Sequence, residues 1–428
     1  MADTRTYTTY TTIADALKTD YLPKLQEQIE KGVKTWDLFN KNSEGCKGRE
    51  IEIKMFKSYP QGVGPAGAGE TLPTPSPAGY AKATVSAKRN YGVISFDAML
   101  EQEANAIVDA IDFEMQAMEE SLKKELNYQL AFGDGTGARA NVASLLGQVI
   151  TVDDDSPFEG HITDFLYPGM IVDIGTAAGL TATAVTIESI DRTTNEVTIK
   201  AGGDVTGVVA DNKIYRTGSA YLTADAKYLN MMGLPGMIKS TGVLQGLNPA
   251  TGGEEWWASY NKDMSDSWCV TTATDVTEGN TLFFDAIQET IDEIELNSIG
   301  HINLIYGWPV FLRQYRAAMQ AEKRTVNTLA FKEGRKGLAF TTEDGEVALM
   351  RDKYLPHKTV YFLDTSKISI KTLLGLHWEE KGGGILKLLE RKDVYTAWMK
   401  LYAETAITTR NACGYWTACP TTILDYTT

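Results

Sequence analysis

The sequence predicts an α+β fold, and three segments carry that prediction. Residues 50–57 and 80–88 each alternate apolar with polar side chains, as two strands do, and a stretch dense in glycine and proline separates them. Apolar residues three and four apart then run from Leu100 to Leu130, which is typical of one face of a long helix. Residues 148–220 are rich in Val, Ile, Thr and Gly and predict a small antiparallel β domain, of which a barrel is one form.

The first two strands predict a long β-ribbon. Ten residues per strand would reach about 33 Å, but a two-stranded ribbon is only marginally stable alone in water. Its apolar residues are small and no neighbouring helix is available to cover them, so we expect the ribbon to rest on another copy of the protein. A mobile surface hairpin is the alternative. The residues that we expect to contact the neighbouring subunit are Lys57, Tyr59, Gly64, Glu70, Leu72 and Tyr80.

The long helix is predicted to begin at Ser95 as N-cap, with Asp97 in the first turn, where an acidic group suits the helix dipole. It would end at Gly133 after about 35 residues, or roughly 50 Å. After the β domain, helices and strands alternate. Thr281 is predicted to cap a helix that carries Phe284, Ile287, Ile291 and Ile294 on one face. Pro309 is predicted to open another helix, and residues 338–350 to form a hairpin. Residues 394–410 fit either a strand or a helix.

Composition excludes several classes of protein. The chain has 428 residues, 43% hydrophobic and 23% charged, which fits a globular protein of two or three domains, and no apolar stretch is long enough to span a membrane. The formal net charge of −15 is unsuited to coating nucleic acid, because Lys and Arg supply most of that affinity. The N-terminus lacks the features of a signal peptide. The four scattered cysteines predict buried thiols in a reduced compartment. The alternative is that Cys413 and Cys419, which are close in sequence, form a pair or share a metal.

No motif predicts catalysis. Gly62, Gly64 and Gly67 match GxGxxG, but prolines flank them and no helix start follows. The four histidines lack metal-ligand spacing, and the acidic run at 153–155 fits a solvated turn better than a calcium loop. We therefore expect no enzyme activity, no cofactor and no metal site.

Several segments, in order, resemble the tailed-bacteriophage major capsid proteins of the Hong Kong 97 type. GREIEIKMFK, GETLP and KATVSAKRNYGVISFD are similar to that family's extended loop and the start of its spine helix, and LAFGDGTGARANVASLLG to the turn that follows the helix. HINLIYGWPVFLRQY is similar to part of the axial domain, and GLAFTTEDGEVALMRDKYLPHKTVYFLD to the peripheral-domain strands. The resemblance implies an N-terminal arm (1–46), an extended loop (47–94), the spine helix and start of the peripheral domain (95–146), an inserted β domain (147–220), the axial domain (221–332), peripheral strands (333–380), and a return to the axial domain with the C-terminus (381–428).

The resemblance also implies a function. Such a protein self-assembles, in the host bacterial cytoplasm, into pentamers and hexamers of an icosahedral phage head. The head encloses double-stranded DNA without sequence-specific binding. Portal, scaffolding and decoration proteins would be its partners and the virion its location, with no membrane involved. Encapsulin shells share this fold but usually lack a long N-terminal arm. A β-rich binding module is a third possibility, suggested by the β domain and by Trp256 and Trp257.

Overall fold

The computed structural model describes residues 34–43, 50–60, 62–97, 117–118, 120–153, 165–224, 228–264, 276–321, 328–330, 336–342, 345–379, 387–388 and 394–419. Their strands form a two-stranded ribbon, a five-stranded sheet, a closed barrel and a seven-stranded sheet. The predicted mixture of helices and sheets is confirmed. Within these residues, no helix has both the length and the hydropathy that crossing a membrane requires.

The predicted ribbon is present. Strand β2 (Glu50–Ser58) pairs antiparallel with β3 (Gly79–Ser86), so that Glu50 lies opposite Ser86. On its exposed face Lys82 forms an ion pair with Glu52. The alternation of apolar and charged residues therefore places one face of the ribbon toward protein and the other toward solvent, as the sequence indicates.

The apolar face of the ribbon is covered by the same chain. The expectation that this face rests on another copy is wrong for the paired strands, because a loop and a strand distant in sequence reach it. The amide of Thr84 donates a 2.9 Å hydrogen bond to the carbonyl of Gln245. The buried ribbon residues belong to two hydrophobic clusters of this chain: Met55 and Ala83 to the main one, and Ile51 and Val85 to one with Ala406.

The ribbon continues into a five-stranded sheet. Its strands are β1 (Asn40–Asn42), β4 (Lys88–Asp97), β17 (Ile368–Trp378), β18 (Lys387–Leu388) and β19 (Val394–Ile407). The long strand β19 lies at the centre and pairs antiparallel with both β17 and β4. The open choice for residues 394–410 is thus resolved in favour of a strand. A short helix, α1 (Lys34–Leu38), precedes β1.

The long helix does not begin at Ser95. Ser95 and Asp97 lie in β4, opposite Thr396 and Val394 of β19. The predicted N-cap is wrong because the whole of β4 pairs with β19, a strand about 300 residues away in sequence whose pairing local patterns do not reveal.

The end of the long helix agrees with the prediction. Residues 98–116 and 119 lie outside the described part, and helix α2 is described over residues 120–127, with Leu122 and Leu126 buried. It closes in a π-helical turn, Tyr128–Phe132, that ends at Gly133. The helix packs on the inner side of the sheet, where Met118 lies against Gly92.

Six described strands between residues 138 and 216 form a closed barrel. Its strands are β5 (Ala138–Leu146), β6 (Val149–Val152), β7 (Ile171–Thr176), β8 (Gly179–Asp191), β9 (Glu196–Ile199) and β10 (Lys213–Arg216). The barrel starts before the predicted boundary at 147, because β5 pairs with both β6 and β10 and closes the ring. Its core consists of side chains from these strands and the loops between them.

A buried ion cluster joins the barrel to the long helix. Glu125 accepts hydrogen bonds from Arg139 Nη2 at 2.5 Å and Arg216 Nη1 at 2.9 Å. The Arg139 guanidinium also lies over the ring of Tyr128, 4.2 Å from its centroid. Burial alone would raise the pKa of Glu125, but the charges of the two arginines, together with hydrogen bonds from Gln129 and Arg139, outweigh it and hold the pKa below its usual value.

The remaining strands form a seven-stranded sheet. They are β11 (Tyr260–Asp263), β12 (Leu304–Gly307), β13 (Thr328–Ala330), β14 (Lys336–Thr342), β15 (Gly345–Arg351), β16 (Val360–Leu363) and β20 (Gly414–Thr417). The predicted hairpin at 338–350 is confirmed by the pairing of β14 with β15. The proposed division at 332 does not separate two sheets, because β12 pairs with both β15 and β16 across it.

Two helices pack on this sheet. Helix α4 (Val276–Asn297) buries the predicted stripe of Phe284, Ile287, Ile291 and Ile294, but Thr281 lies inside it and does not cap it. Helix α5 (Pro309–Ala321) opens at Pro309 as predicted. The side chains of Cys413 and Cys419 are buried, whereas Cys46 and Cys269 lie outside the described residues.

The segment between the barrel and the seven-stranded sheet contains helix α3 (Leu234–Met237). A buried arginine from the C-terminal part of the chain, Arg410, binds the backbone of this segment. Arg410 stands in a short 3₁₀ turn, Arg410–Ala412, and is 1% exposed. It donates to backbone carbonyls of the preceding loops, those of Met237, Thr241, Gly242 and Trp257, at 2.9 to 3.4 Å. Burial lowers the pKa of Arg410 to about 10.

Candidate subunit interface

Beyond its paired strands the ribbon extends into an exposed tip, defined here as residues 59–60 and 62–78. Nearly all of these residues are exposed, and they form no strand. Prolines contribute to this, because they lack the N–H that a sheet ladder needs. The extended loop predicted from the sequence therefore has two parts, a ribbon that packs on its own chain and a tip that contacts little of it.

The tip is a defined ribbon-like turn. The Gly67 carbonyl accepts from the Glu70 amide at 3.1 Å, and the Glu70 carboxylate accepts in return from the Gly67 amide at 3.2 Å. Gly69 has a φ of +87°, which glycine adopts without strain. Closer to the paired strands, the two chain segments of the tip approach each other, since a Cβ on Gly62 would come within 3.2 Å of Pro75 Cα.

Large apolar side chains are exposed along the tip and at its base. Val63 is 88% exposed, Leu72 78%, Tyr80 74% and Tyr59 73%. The Phe56 ring packs edge-on against Tyr59 at 4.9 Å between centroids. Scattered apolar residues are normal on protein surfaces, but several along one narrow projection indicate a contact surface.

The six predicted contact residues are distributed unevenly. Tyr59, Gly64, Glu70 and Leu72 lie in the tip, and Tyr80 follows it in β3. Lys57 lies instead against Gly253 of its own chain. There its charge adds to backbone hydrogen bonds, from Gly253 and Glu255, that lower the pKa of Glu255. The role of all six in contacting a neighbour remains a prediction.

A second exposed surface was missed by the sequence reasoning. On the side of the five-stranded sheet opposite the long helix, Tyr91 and Val93 are each about half exposed. The Tyr91 and Tyr402 hydroxyls lie 3.1 Å apart, and the Arg89 guanidinium stands 5.6 Å from the Tyr402 ring centroid. We call Arg89, Tyr91, Val93 and Tyr402 the outer sheet face. The alternation of Arg89, Tyr91 and Val93 along β4 could have revealed this face, had the segment been recognised as a strand.

The described residues hold no cluster that would point to catalysis. Within them, no three His, Cys, Asp or Glu side chains are placed to hold a metal ion. Trp257 is fully buried and donates through Nε1 to the Leu244 carbonyl at 3.2 Å, so it serves the core. Asp154, Asp155 and His161 lie outside the described part of the chain.

The chain was compared with known proteins. No family model matches it, and no curated protein is similar in sequence. It is similar to a solved structure of the cyanophage A-1(L) capsid asymmetric unit, with 9% identity, coverage of 89% of this chain and 91% of the other, and a TM-score of 0.49. It is also similar to the capsid of Myoviridae phage XM1, with 8% identity, 89% and 90% coverage and a TM-score of 0.43.

A third similar structure is the holo-SrpI encapsulin complex from Synechococcus elongatus PCC 7942, with 9% identity, 92% and 89% coverage and a TM-score of 0.41. The resemblance to phage capsid proteins stated from the sequence is thus found again among solved structures.

Proposed function

We propose that the chain is a structural shell protein whose copies associate with one another through the tip. The observation that carries this proposal is the tip itself, an ordered projection whose large apolar side chains have little of their own chain to cover them. Fully burying one leucine side chain contributes about 1.5–3 kcal/mol. Burying several on a neighbour would therefore supply a useful association energy at each contact.

More particularly, we propose that the shell is the head of a tailed bacteriophage and the chain its major capsid protein. A projection from one copy that docks on a different surface of the next makes a head-to-tail contact, and such contacts close into rings when the rotation permits. Pentamers and hexamers of this kind build an icosahedral shell. We propose that the tip of the neighbouring copy docks on the outer sheet face, which presents an arginine and two tyrosines.

The net charge fits enclosure of DNA without tight binding. At −15 per chain, the protein as a whole repels a polyphosphate. Portal, scaffolding and decoration proteins remain proposed partners, and the virion a proposed location with assembly in the host cytoplasm. An encapsulin-like shell is the alternative, and the contents of purified particles, double-stranded DNA or protein cargo, separate the two.

Two leucine variants test the shell proposal. Leu72→Glu places a charge in the tip, whereas Leu146→Glu places one at an equally exposed leucine on the barrel, 83% exposed. We expect wild type and Leu146→Glu to sediment as large closed particles under assembly conditions. Leu72→Glu should remain as subunits or small oligomers with an unchanged melting temperature, because its site is already in water. Normal particles from Leu72→Glu would contradict the role of the tip.

A further inference from the structure

The tip contains a segment in which every second residue is proline, residues 72–77, with the sequence LPTPSP. We call it the proline segment. Proline fixes its own φ at about −65° and biases the residue before it toward extended backbone. All six residues are therefore restricted to conformations near the polyproline II helix. Four of their side chains are exposed, those of Leu72, Thr74, Pro75 and Pro77.

The proline segment is richer in hydrogen-bond acceptors than in donors. Each of its residues has a backbone carbonyl, but Pro73, Pro75 and Pro77 have no N–H. Among the residues of the tip, the only charged side chain is that of Glu70, which is exposed. A surface that receives this segment should therefore supply hydrogen-bond donors, apolar area for the pyrrolidine rings and a positive charge.

The outer sheet face supplies all three. The Tyr91 and Tyr402 hydroxyls lie 3.1 Å apart, so one donates to the other and the second O–H is left to donate outward. Arg89 adds guanidinium N–H donors and the positive charge. Tyr91 and Val93, which are 50% and 52% exposed, supply the apolar area. Polyproline II segments bind to surfaces lined by aromatic side chains such as these.

The proline segment and the outer sheet face are similar in length. Six residues of polyproline II span about 19 Å at 3.1 Å per residue. From Arg89 to Val93, β4 spans five residues, or about 17 Å at 3.3 Å per residue. The side chains of Arg89, Tyr91 and Val93 lie on one side of the strand, because alternate residues of a strand share a face. A segment that lies along β4 can therefore contact all of them.

We propose that the proline segment of one copy lies along β4 of the next copy, on the outer sheet face. Its pyrrolidine rings pack on Tyr91 and Val93. Its carbonyls accept hydrogen bonds from the tyrosine hydroxyls, and the Glu70 carboxylate pairs with Arg89, which orients the segment parallel to β4. This contact rests on the proposed association through the tip and specifies which part of the tip is recognised and by what chemistry.

Exchanging the two charges in the full-length chain tests the pair. Glu70→Arg and Arg89→Glu each place like charges at the contact, which should raise the protein concentration needed for assembly at least about tenfold. The double variant restores opposite charges and should assemble near the wild-type concentration. Lys200→Glu, at an exposed lysine of the barrel, is the matched control and should assemble as wild type does. Single reversals without effect, or a double variant as poor as the single ones, overturn the pairing.

Replacing the prolines tests the conformation. The triple substitution of Pro73, Pro75 and Pro77 by Ala frees the unbound segment, so that more conformational entropy is lost on docking. It should raise the concentration needed for assembly at least about tenfold. Pro60→Ala combined with Pro65→Ala, on the other side of the tip, should not. An unchanged concentration for the triple variant overturns recognition of a polyproline II segment.

Disulfide formation tests the position. If Glu70 lies at Arg89, then Thr74 lies near Val93, because four residues span about 12 Å of the segment and about 13 Å of the strand. Thr74→Cys combined with Val93→Cys should therefore give covalent trimers and larger oligomers under mild oxidation. The matched control combines Thr74→Cys with a cysteine at Leu146, the exposed leucine of the barrel, and should not.

The native thiols are the same in both double-cysteine variants, so the difference between the two reports the position of the segment. Particles that assemble normally but give no larger covalent oligomers from the cysteines at 74 and 93 overturn this inference and leave association through the tip standing. A chain that forms no oligomer at all overturns both.

Discussion

Replacing Glu125 by Gln tests the joint between the barrel and the long helix. The substitution preserves the shape of the side chain but removes the charge that faces Arg139 and Arg216. The two arginines differ in exposure: the Arg139 side chain is 5% exposed, while that of Arg216 is 39% exposed. Only Arg139 would therefore be left as a buried and uncompensated charge.

The expected loss follows from that difference. Breaking a buried ion pair by removing one partner costs about 3–5 kcal/mol, whereas an exposed pair contributes about 0–1 kcal/mol. We expect Glu125→Gln to lower the free energy of unfolding by about 3 kcal/mol or more. Glu52→Gln, which breaks the exposed pair with Lys82, should lower it by less than about 1 kcal/mol.

Urea unfolding followed by tryptophan fluorescence measures both losses. The pKa of Glu125 is depressed, so its contribution is fully present above the ordinary carboxyl value of 4.5. It is lost as pH falls through the lower folded-state pKa, and the difference between wild type and Glu125→Gln should shrink there. Equal stability losses in Glu125→Gln and Glu52→Gln at pH 7 would refute the reasoning.

Two further predictions concern the barrel and the buried arginine. The isolated fragment 138–216 should fold, because its main hydrophobic cluster is made only of residues within it. Dispersed amide signals in a proton–nitrogen NMR spectrum would support this, and a collapsed spectrum would contradict it. Arg410→Met leaves buried carbonyl groups without their hydrogen-bond donor, and it should therefore lower the free energy of unfolding in urea by about 3 kcal/mol or more. A loss below about 1 kcal/mol would contradict this and show that water or other donors replace the guanidinium.

Local patterns predicted elements whose neighbours are close in sequence. The alternation at 50–57 and 80–88 gave the ribbon and its pairing, and Pro309 marked a helix start, because each depends on a few adjacent residues. The buried stripe of α4 followed from spacing alone, although its first turn lay before the expected Thr281.

The predictions that proved wrong concern features that depend on contacts between residues distant in sequence. Ser95 looked like an N-cap because nothing nearby in sequence reveals that β19 pairs with β4. The ribbon seemed to lack a cover because the residues that cover it, such as Ala406, are distant in sequence. The ion cluster at Glu125 was equally hidden, since a carboxyl group's burial is set by the tertiary fold and not by its neighbours in the chain.

A cryo-electron microscopy map of the assembled full-length protein tests the central claim most directly. Density for the tip should lie on an adjacent subunit, with Tyr59 and Leu72 buried there. If the tip instead folded back on its own subunit, or if the chain remained a monomer at high concentration under assembly conditions, the account of this protein as a shell subunit would be contradicted.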